Sequence, residues 1–224
     1  MPAGDITKAI VAKARTIANE SSAGFWSDTN LYQYVDSAQK FAITFGLEKQ
    51  KGLQQLDKYK ELEFLKPALK STDITLATGS NTISLSTVTD ITELYKMALY
   101  NHTDLVLLYL NYISLNQLIM ESQNSYGGHS YDSTSHKGNV FGAYYQGTIV
   151  TSFTTLPYTY LDRLKIYYYG TPTTLDASHD PILLSYTFDA LIELTLWYAY
   201  EQKTDYEKAG VHFKQALQLL NNLQ

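Results

Sequence analysis

The residues that could do chemistry are few. Five histidines, His102, His129, His136, His179 and His212, are spread along the chain. None stands in a His-x3-His or His-Glu-x2-His pair, the spacings that set two imidazoles on one helix face toward a zinc ion. His129, Asp132 and His136 fall together in one polar stretch, where a hard or borderline metal ion could bind; solvated loop side chains are the plainer reading. The carboxylate pairs Asp57/Glu61 and Asp189/Glu193 are each four residues apart, so each would share a helix face. The first sits among lysines and reads as surface charge. The second lies in an apolar segment, where burial would raise a carboxyl pKa, but such pairs more often serve structure than catalysis. A glycosidase would need two carboxylates facing each other across a groove. There is no Gly-x-Ser-x-Gly elbow, no phosphate loop and no Gly-x-Gly-x-x-Gly stretch. The absence of cysteine removes thiolate metal sites, iron–sulfur clusters, disulfides and cysteine nucleophiles together. No catalytic constellation, metal site or cofactor is implied.

Composition narrows the class further. The chain has 224 residues, 22 acidic against 17 basic side chains, and 20 tyrosines. A net charge of −5 argues against a protein whose main task is gripping nucleic-acid phosphates. Tyrosine joins an apolar ring to a polar tip and favours strands and half-wet interfaces, so its abundance points to binding or assembly. The N-terminus shows no basic run followed by an apolar stretch, and the most apolar segment, 190–200, is too short and too acidic to span a bilayer. A protein without a membrane role is expected.

The elements that must position these side chains follow from periodicity. Ile6, Ile10, Ala14 and Ile17 predict a helix from Asp5 to about Asn19, with Asp5 as its cap. After Phe25-Trp26, Ser27 or Asp28 can cap a second helix carrying Leu31, Val35, Ala38, Ala42 and Phe45, predicted to run to Gly46. Residues 48–70 hold six lysines against four acids. They read as a solvated helical face or as a basic patch for an acidic partner, with Lys66-Pro67 as a boundary. Alternation at 73–76 and 82–85 around Gly79 predicts one hairpin, and 93–100 with 105–112 a second; a helix over 105–120 is the competing reading of the latter, against a strand followed by a short helix capped by Ser114. The loop 122–139 is polar and long for a compact domain. Strands are predicted again at 140–145, 148–153 and 163–169. Asp180-Pro181 reads as the start of a helix running to Gln202, and Thr204-Asp205 as the start of another reaching Leu223. The fold class is α+β: a bundle of N-terminal (5–66) and C-terminal (180–223) helices with a β-rich insertion (71–169), in one domain over 1–224. The helical ends are expected to pack together with the strands as a protruding sheet. Residues 190–200 are apolar on nearly all sides, as in a helix buried in a bundle or an oligomer.

Several separated motifs occur in a telling order. Phe25-Trp26-Ser27-Asp28-x-x-Leu31-x-x-Tyr34-x-x-x-Ala38 resembles the opening of head-to-tail adaptor (connector) proteins of short-tailed bacteriophages. Residues 72–85 with Thr89-Asp90-Ile91-x-x-Leu94 resemble that family's β segment, although its usual Leu-Pro before the Asp is absent. Leu164-Lys165-Ile166-Tyr167-Tyr168-Tyr169-Gly170-Thr171-Pro172, then Leu175, Asp180-Pro181 and Tyr186-x-x-Asp189-Ala190-Leu191, is the strongest stretch. Ala199-Tyr200 and His212-Phe213-x-x-Ala216-Leu217 complete it. Each motif alone is degenerate; their order and spacing carry the likeness.

The resemblance implies a structural virion protein without turnover, present in the head–tail neck and assembled in the host cytoplasm. Copies, commonly twelve, would form a ring under the portal protein, extend a channel that duplex DNA crosses without sequence-specific binding, and dock a tail tube or nozzle. On that reading Leu194, Trp197, Tyr198 and Phe213 would meet neighbouring copies or the portal. Tyr144, Tyr145, Tyr167 and Tyr169 would face the tail, and Lys58 and Lys60 an acidic partner. Two other readings stay open. Residues 198–217 are also similar to one tetratricopeptide unit of a helical scaffold, though no second copy follows. The tyrosines could also line a carbohydrate-binding adhesion surface.

Overall fold

The computed structural model describes residues 3–20, 24–55, 62–76, 82–100, 107–112, 140–145, 148–151, 162–183 and 185–223. The chain divides into two compact units: Met1–Ala68 with Thr171–Gln224, and Leu69–Gly170. Helices make the first and strands the second, so the chain is α+β with helical ends flanking a strand-containing middle.

The helical unit contains α1 (Asp5–Ile17), α2 (Asp28–Gln55), a 3-10 turn (Glu63–Ala68), α3 (Phe188–Gln202) and α4 (Tyr206–Asn222). Helix α3 is central and packs on α1, α2 and α4. Its Leu191, Leu194, Thr195, Leu196 and Ala199 are all buried. The all-round apolarity of this helix is thus largely satisfied by neighbours in its own chain. The N-terminal and C-terminal helices do pack together, as their amphipathic spacing predicts.

Three local expectations are corrected. Helix α2 does not stop at Gly46 but continues to Gln55. Gly46 serves close approach instead: a Cβ there would lie 2.5 Å from Phe64 Cζ and 2.9 Å from Leu65 Cδ2. Asp5 is not the cap of α1, because that position belongs to Gly4, whose φ of 86° is left-handed and whose own side chain offers no cap. Asp180, predicted to start a helix, supplies the cap from afar: its Oδ1 accepts from the backbone N–H groups of Ile6 (2.8 Å) and Thr7 (3.3 Å). Helix α3 accordingly begins only at Phe188, after an irregular segment that α2 holds down and a 3-10 turn at Ser185–Thr187. Asp36 accepts from Leu175 N (3.0 Å) and Gln39 from Ile182 N (2.7 Å), two buried polar side chains spent on the backbone of that segment.

Other caps fall where the sequence places them. Ser27 Oγ accepts from Asn30 N at the start of α2 (3.2 Å), and Asp205 accepts from Lys208 N at the start of α4 (3.3 Å). At the far end of α4, Lys49 Nζ donates to the carbonyls of Asn221 (2.7 Å) and Leu223 (3.2 Å), meeting orphan acceptors with a cation at the negative end of the helix.

The second unit is one seven-stranded sheet in the order β1-β7-β3-β4-β5-β6-β2. Its strands are β1 (Leu69–Thr75), β2 (Thr82–Ser84), β3 (Ile91–Tyr100), β4 (Leu107–Tyr112), β5 (Val140–Tyr145), β6 (Thr148–Thr151) and β7 (Arg163–Gly170). The predicted hairpin of β3 with β4 forms, Met97 opposite Leu110 and Tyr100 opposite Leu107. The predicted hairpin of the first two strands does not. Strand β1 pairs with β7 and β2 with β6, which sets them at opposite edges. Alternation shows that each is a half-buried strand but carries no information about partners distant in sequence. Strands β4 and β5 are parallel. Leu76, Ile83, Leu85, Met97, Leu99, Ile149, Leu164, Ile166 and Tyr168 form the core on one side of the sheet.

Candidate assembly surfaces

In the helical unit the feature that packing leaves over is aromatic. Phe41 and Phe45 lie one turn apart on α2 with rings stacked at 6.3 Å. Phe41 meets Trp197 of α3 edge-on at 5.5 Å and Phe213 of α4 at 5.8 Å. Trp197 lies 4.4 Å from both Tyr198 and Phe213. All five side chains are only partly buried. Three helices thus bring five rings to a common surface, with part of their area still in water. Burial, and to a lesser degree Glu201, pushes the Tyr198 hydroxyl above its ordinary pKa, so the phenol stays neutral at physiological pH.

Of the side chains the sequence nominated for contacts between copies, Trp197, Tyr198 and Phe213 come together in this cluster. Leu194 does not join them, being fully buried in the bundle at 0% exposure. Phe41 was missed, because the stripe through Leu31, Val35, Ala38 and Ala42 describes the buried face of α2 and Phe41 lies at its margin. Its four-residue spacing to Phe45 is the signal that could have found it.

A second aromatic group is inward and structural. Trp26 is buried, its indole N–H donates to the Ala199 carbonyl at 3.0 Å, and its ring meets Tyr200 edge-on at 5.5 Å. The Arg15 guanidinium joins α1 to the start of α2 by donating to the Trp26 carbonyl (3.0 Å) and to Asp28 (2.5 Å). The Trp-Ser-Asp motif is therefore a fastening of helices.

On the sheet, Tyr167 is half-buried, whereas Tyr169 is buried and meets Tyr95 edge-on at 5.8 Å. Tyr144 and Tyr145 sit opposite Ile149 and Thr148 in the hairpin of β5 with β6. Lys58 and Lys60 lie outside the described residues, as do Asp57, Glu61, His129, Asp132 and His136.

The remaining carboxylate pair does not converge as an acid–base pair would. Asp189 is exposed, while Glu193 Oε2 lies 2.7 Å from His212 Nδ1, whose ring stacks on Tyr200 at 5.3 Å. This contact latches α3 to α4. Among the described residues no three His, Asp or Glu side chains gather as a metal site, and no helix is long and apolar enough to cross a membrane.

A bundle with a residual aromatic surface, joined in one chain to a tyrosine-rich sheet, suits a protein that works by contact. The family model described as SU10 adaptor protein matches residues 2–224. The chain belongs to the SU10 adaptor protein family. No curated protein is significantly similar to it. As an SU10 adaptor protein it is a bacteriophage structural protein and a virion component that interacts with other head and tail proteins. The order of motifs from Trp26 to Phe213 is thereby explained as that of one family over nearly the whole chain.

Proposed function

We propose that this adaptor forms a ring of identical copies beneath the portal protein, extends the channel through which duplex DNA passes, and presents a docking surface to the tail tube or nozzle. The observation that carries the reading, beyond family membership, is the partly exposed cluster of Phe41, Phe45, Trp197, Tyr198 and Phe213. Aromatic anchors near a partly desolvated centre are the usual hot spots of protein interfaces. In a cyclic assembly each copy offers one patch and receives a different one, so a single aromatic face recurs around the ring. Twelve copies is the number we expect. The acidic balance of the chain suits a channel that DNA must cross without adhering. The tail contact is assigned to the tyrosine-bearing strands β5 and β7, with Tyr144, Tyr145 and Tyr167 as candidates, and Lys58 and Lys60 to an acidic neighbour. The work is geometric and involves no turnover, and assembly takes place in the host cytoplasm.

Native mass measurement of the purified protein, alone and mixed with the portal ring of the same phage, tests this. A closed ring bound stoichiometrically to the portal is the expected result. A monomer that ignores the portal overturns it, and glycan binding would then be the next measurement.

A further inference from the structure

The end of the helical unit where α1 finishes and α4 begins carries apolar surface that the bundle does not use. Ile17 closes α1, Phe25 precedes α2 and Tyr206 opens α4; all three are exposed, Phe25 to 57% and Tyr206 to 69%. They gather there because the Trp26 indole is fastened to the Ala199 carbonyl in the last turn of α3. Lys203, the cap at the end of α3, places its Nζ 5.1 Å from the centroid of the Phe25 ring and 5.3 Å from that of Trp26. A cation thus lies over exposed aromatic surface. The neighbouring carboxylate, Asp205, is engaged by Lys208 at 3.2 Å. Glu201 is exposed two residues before Lys203, and among the described residues neither of the two stands in an ion pair. At 3.6 residues per turn, side chains two apart leave a helix on nearly opposite sides. Glu201 follows Tyr198 by three positions and belongs to the side of the aromatic cluster, whereas Lys203 follows Ala199 by four and belongs to the side of Trp26 and Phe25.

We propose that the Phe25 end of one copy receives the aromatic cluster of a second copy, with Lys203 of the first set against Glu201 of the second. Each face holds what the other lacks. One has rings rimmed by a carboxylate without an ion-pair partner, the other has rings covered by a cation in the same condition. Because Glu201 and Lys203 of one copy leave α3 on opposite sides, the contact repeats from copy to copy in a single sense. That is the heterologous geometry a ring requires. The rings supply adhesion at the centre of the contact, and the charge pair at its rim selects the orientation. This rests on the ring reading above.

The test uses full-length Lys203→Glu, Glu201→Lys and the double variant, each followed by native mass measurement alone and with the portal ring of the same phage. Both positions are exposed, so every variant should keep the helical circular-dichroism signal and melt near the parent. Each single variant sets like charges against one another at every contact, and should need at least about tenfold more protein to assemble. The double variant should assemble as the parent does. So should an equal mixture of the two single variants, in which opposite charges meet again as the copies alternate around the ring. Rescue by mixing requires that the charges meet between copies. Single variants that assemble like the parent overturn the proposal and leave the ring reading intact, and so does a mixture that stays as monomeric as its parts. Phe25→Ser, which keeps both charges, decides the matter should a charge variant fail to fold: it should also raise the concentration needed for assembly, and unchanged assembly overturns the proposal. A parent protein that forms no ring under either condition defeats the reading beneath it.

Discussion

The two units leave different things unsatisfied. In the helical unit several backbone groups of the described residues are met by side chains distant in sequence. Helix ends are met by Asp180, Asp205 and Lys49, and the buried polar groups Asp36 and Gln39 are spent on the segment that returns to α3. What remains there is side-chain surface, the rings around Trp197. In the sheet unit Leu76, Ile83, Met97, Leu99, Leu164 and Ile166 gather in one core, Tyr95 and Tyr167 stay partly exposed, and β1 lies at an edge of the sheet. Aromatic surface attracts without direction and tolerates small rotations, whereas a strand edge accepts a partner only in steps of its hydrogen-bond repeat. The proposed ring would need adhesion between copies, which the aromatic surface of the helical unit is suited to supply.

The largest effects are expected from charging two neighbouring positions of α3 in turn, one buried and one partly exposed. Leu194→Asp places a carboxylate at a site with 0% exposure and no partner, and should cost more than about 4 kcal/mol, enough to unfold the helical unit. Trp197→Asp, one turn away on the half-exposed side, should retain the helical circular-dichroism signal yet be absent from virions. Normal incorporation of Trp197→Asp would remove the aromatic cluster from the interface.

Gly46→Ala separates local helix preference from packing. Alanine in a helix is favoured over glycine by about 1 kcal/mol. Here its methyl would meet Phe64 and Leu65 within 3 Å, and such overpacking costs about 1–3 kcal/mol. Thermal melting should therefore show a net loss of stability. A gain would mean that the 3-10 turn yields easily.

Asp180→Ala should have a smaller effect, roughly 1 kcal/mol, since it removes a helix cap. Amide exchange should quicken at Ile6 and Thr7 and remain unchanged in α4, whose cap is Asp205. Equal quickening in both helices would argue against a local cap.

Part of this was written in the sequence and part was not, for a physical reason. The caps at Ser27 and Asp205 are interactions between residues a few positions apart, and the pairing of β3 with β4 joins neighbours in sequence, so pattern reading finds them. Asp180 acts on Ile6 from 174 residues away, and the same Asp-Pro that begins many helices here ends another one's unsatisfied donors. Likewise the edge positions of β1 and β2 follow from pairing with β7 and β6, which alternation cannot foresee. For the aromatic surface, near-uniform apolarity of α3 marked Trp197 and Tyr198 but also Leu194. A helix apolar all round has no sequence signal for which side its neighbours will cover.

The smallest effect lies in the sheet unit and depends on pH. The Lys70 ammonium, 2.6 Å from Asp90 Oδ2, holds that carboxyl below its ordinary pKa; burial opposes the shift and a hydrogen bond from Tyr168 (3.1 Å) adds to it. Lys70 belongs to β1 and Tyr168 to β7, so the carboxylate ties the edge strand to its neighbour. A folded-state pKa below the unfolded one means stability that is fully present above the ordinary carboxylate range and lost as pH falls through the lowered value. The Lys70 and Asp90 side chains are 38% and 37% exposed, so solvent screening limits the contribution to about 1 kcal/mol or less. Melting followed between pH 6 and pH 2 should show an acid-dependent loss that Asp90→Asn reduces by the share of this pair, with the variant matching the parent at the acid end. An identical acid profile in the variant would place the titration on other carboxylates, such as Asp205 beside Lys208 in the helical unit.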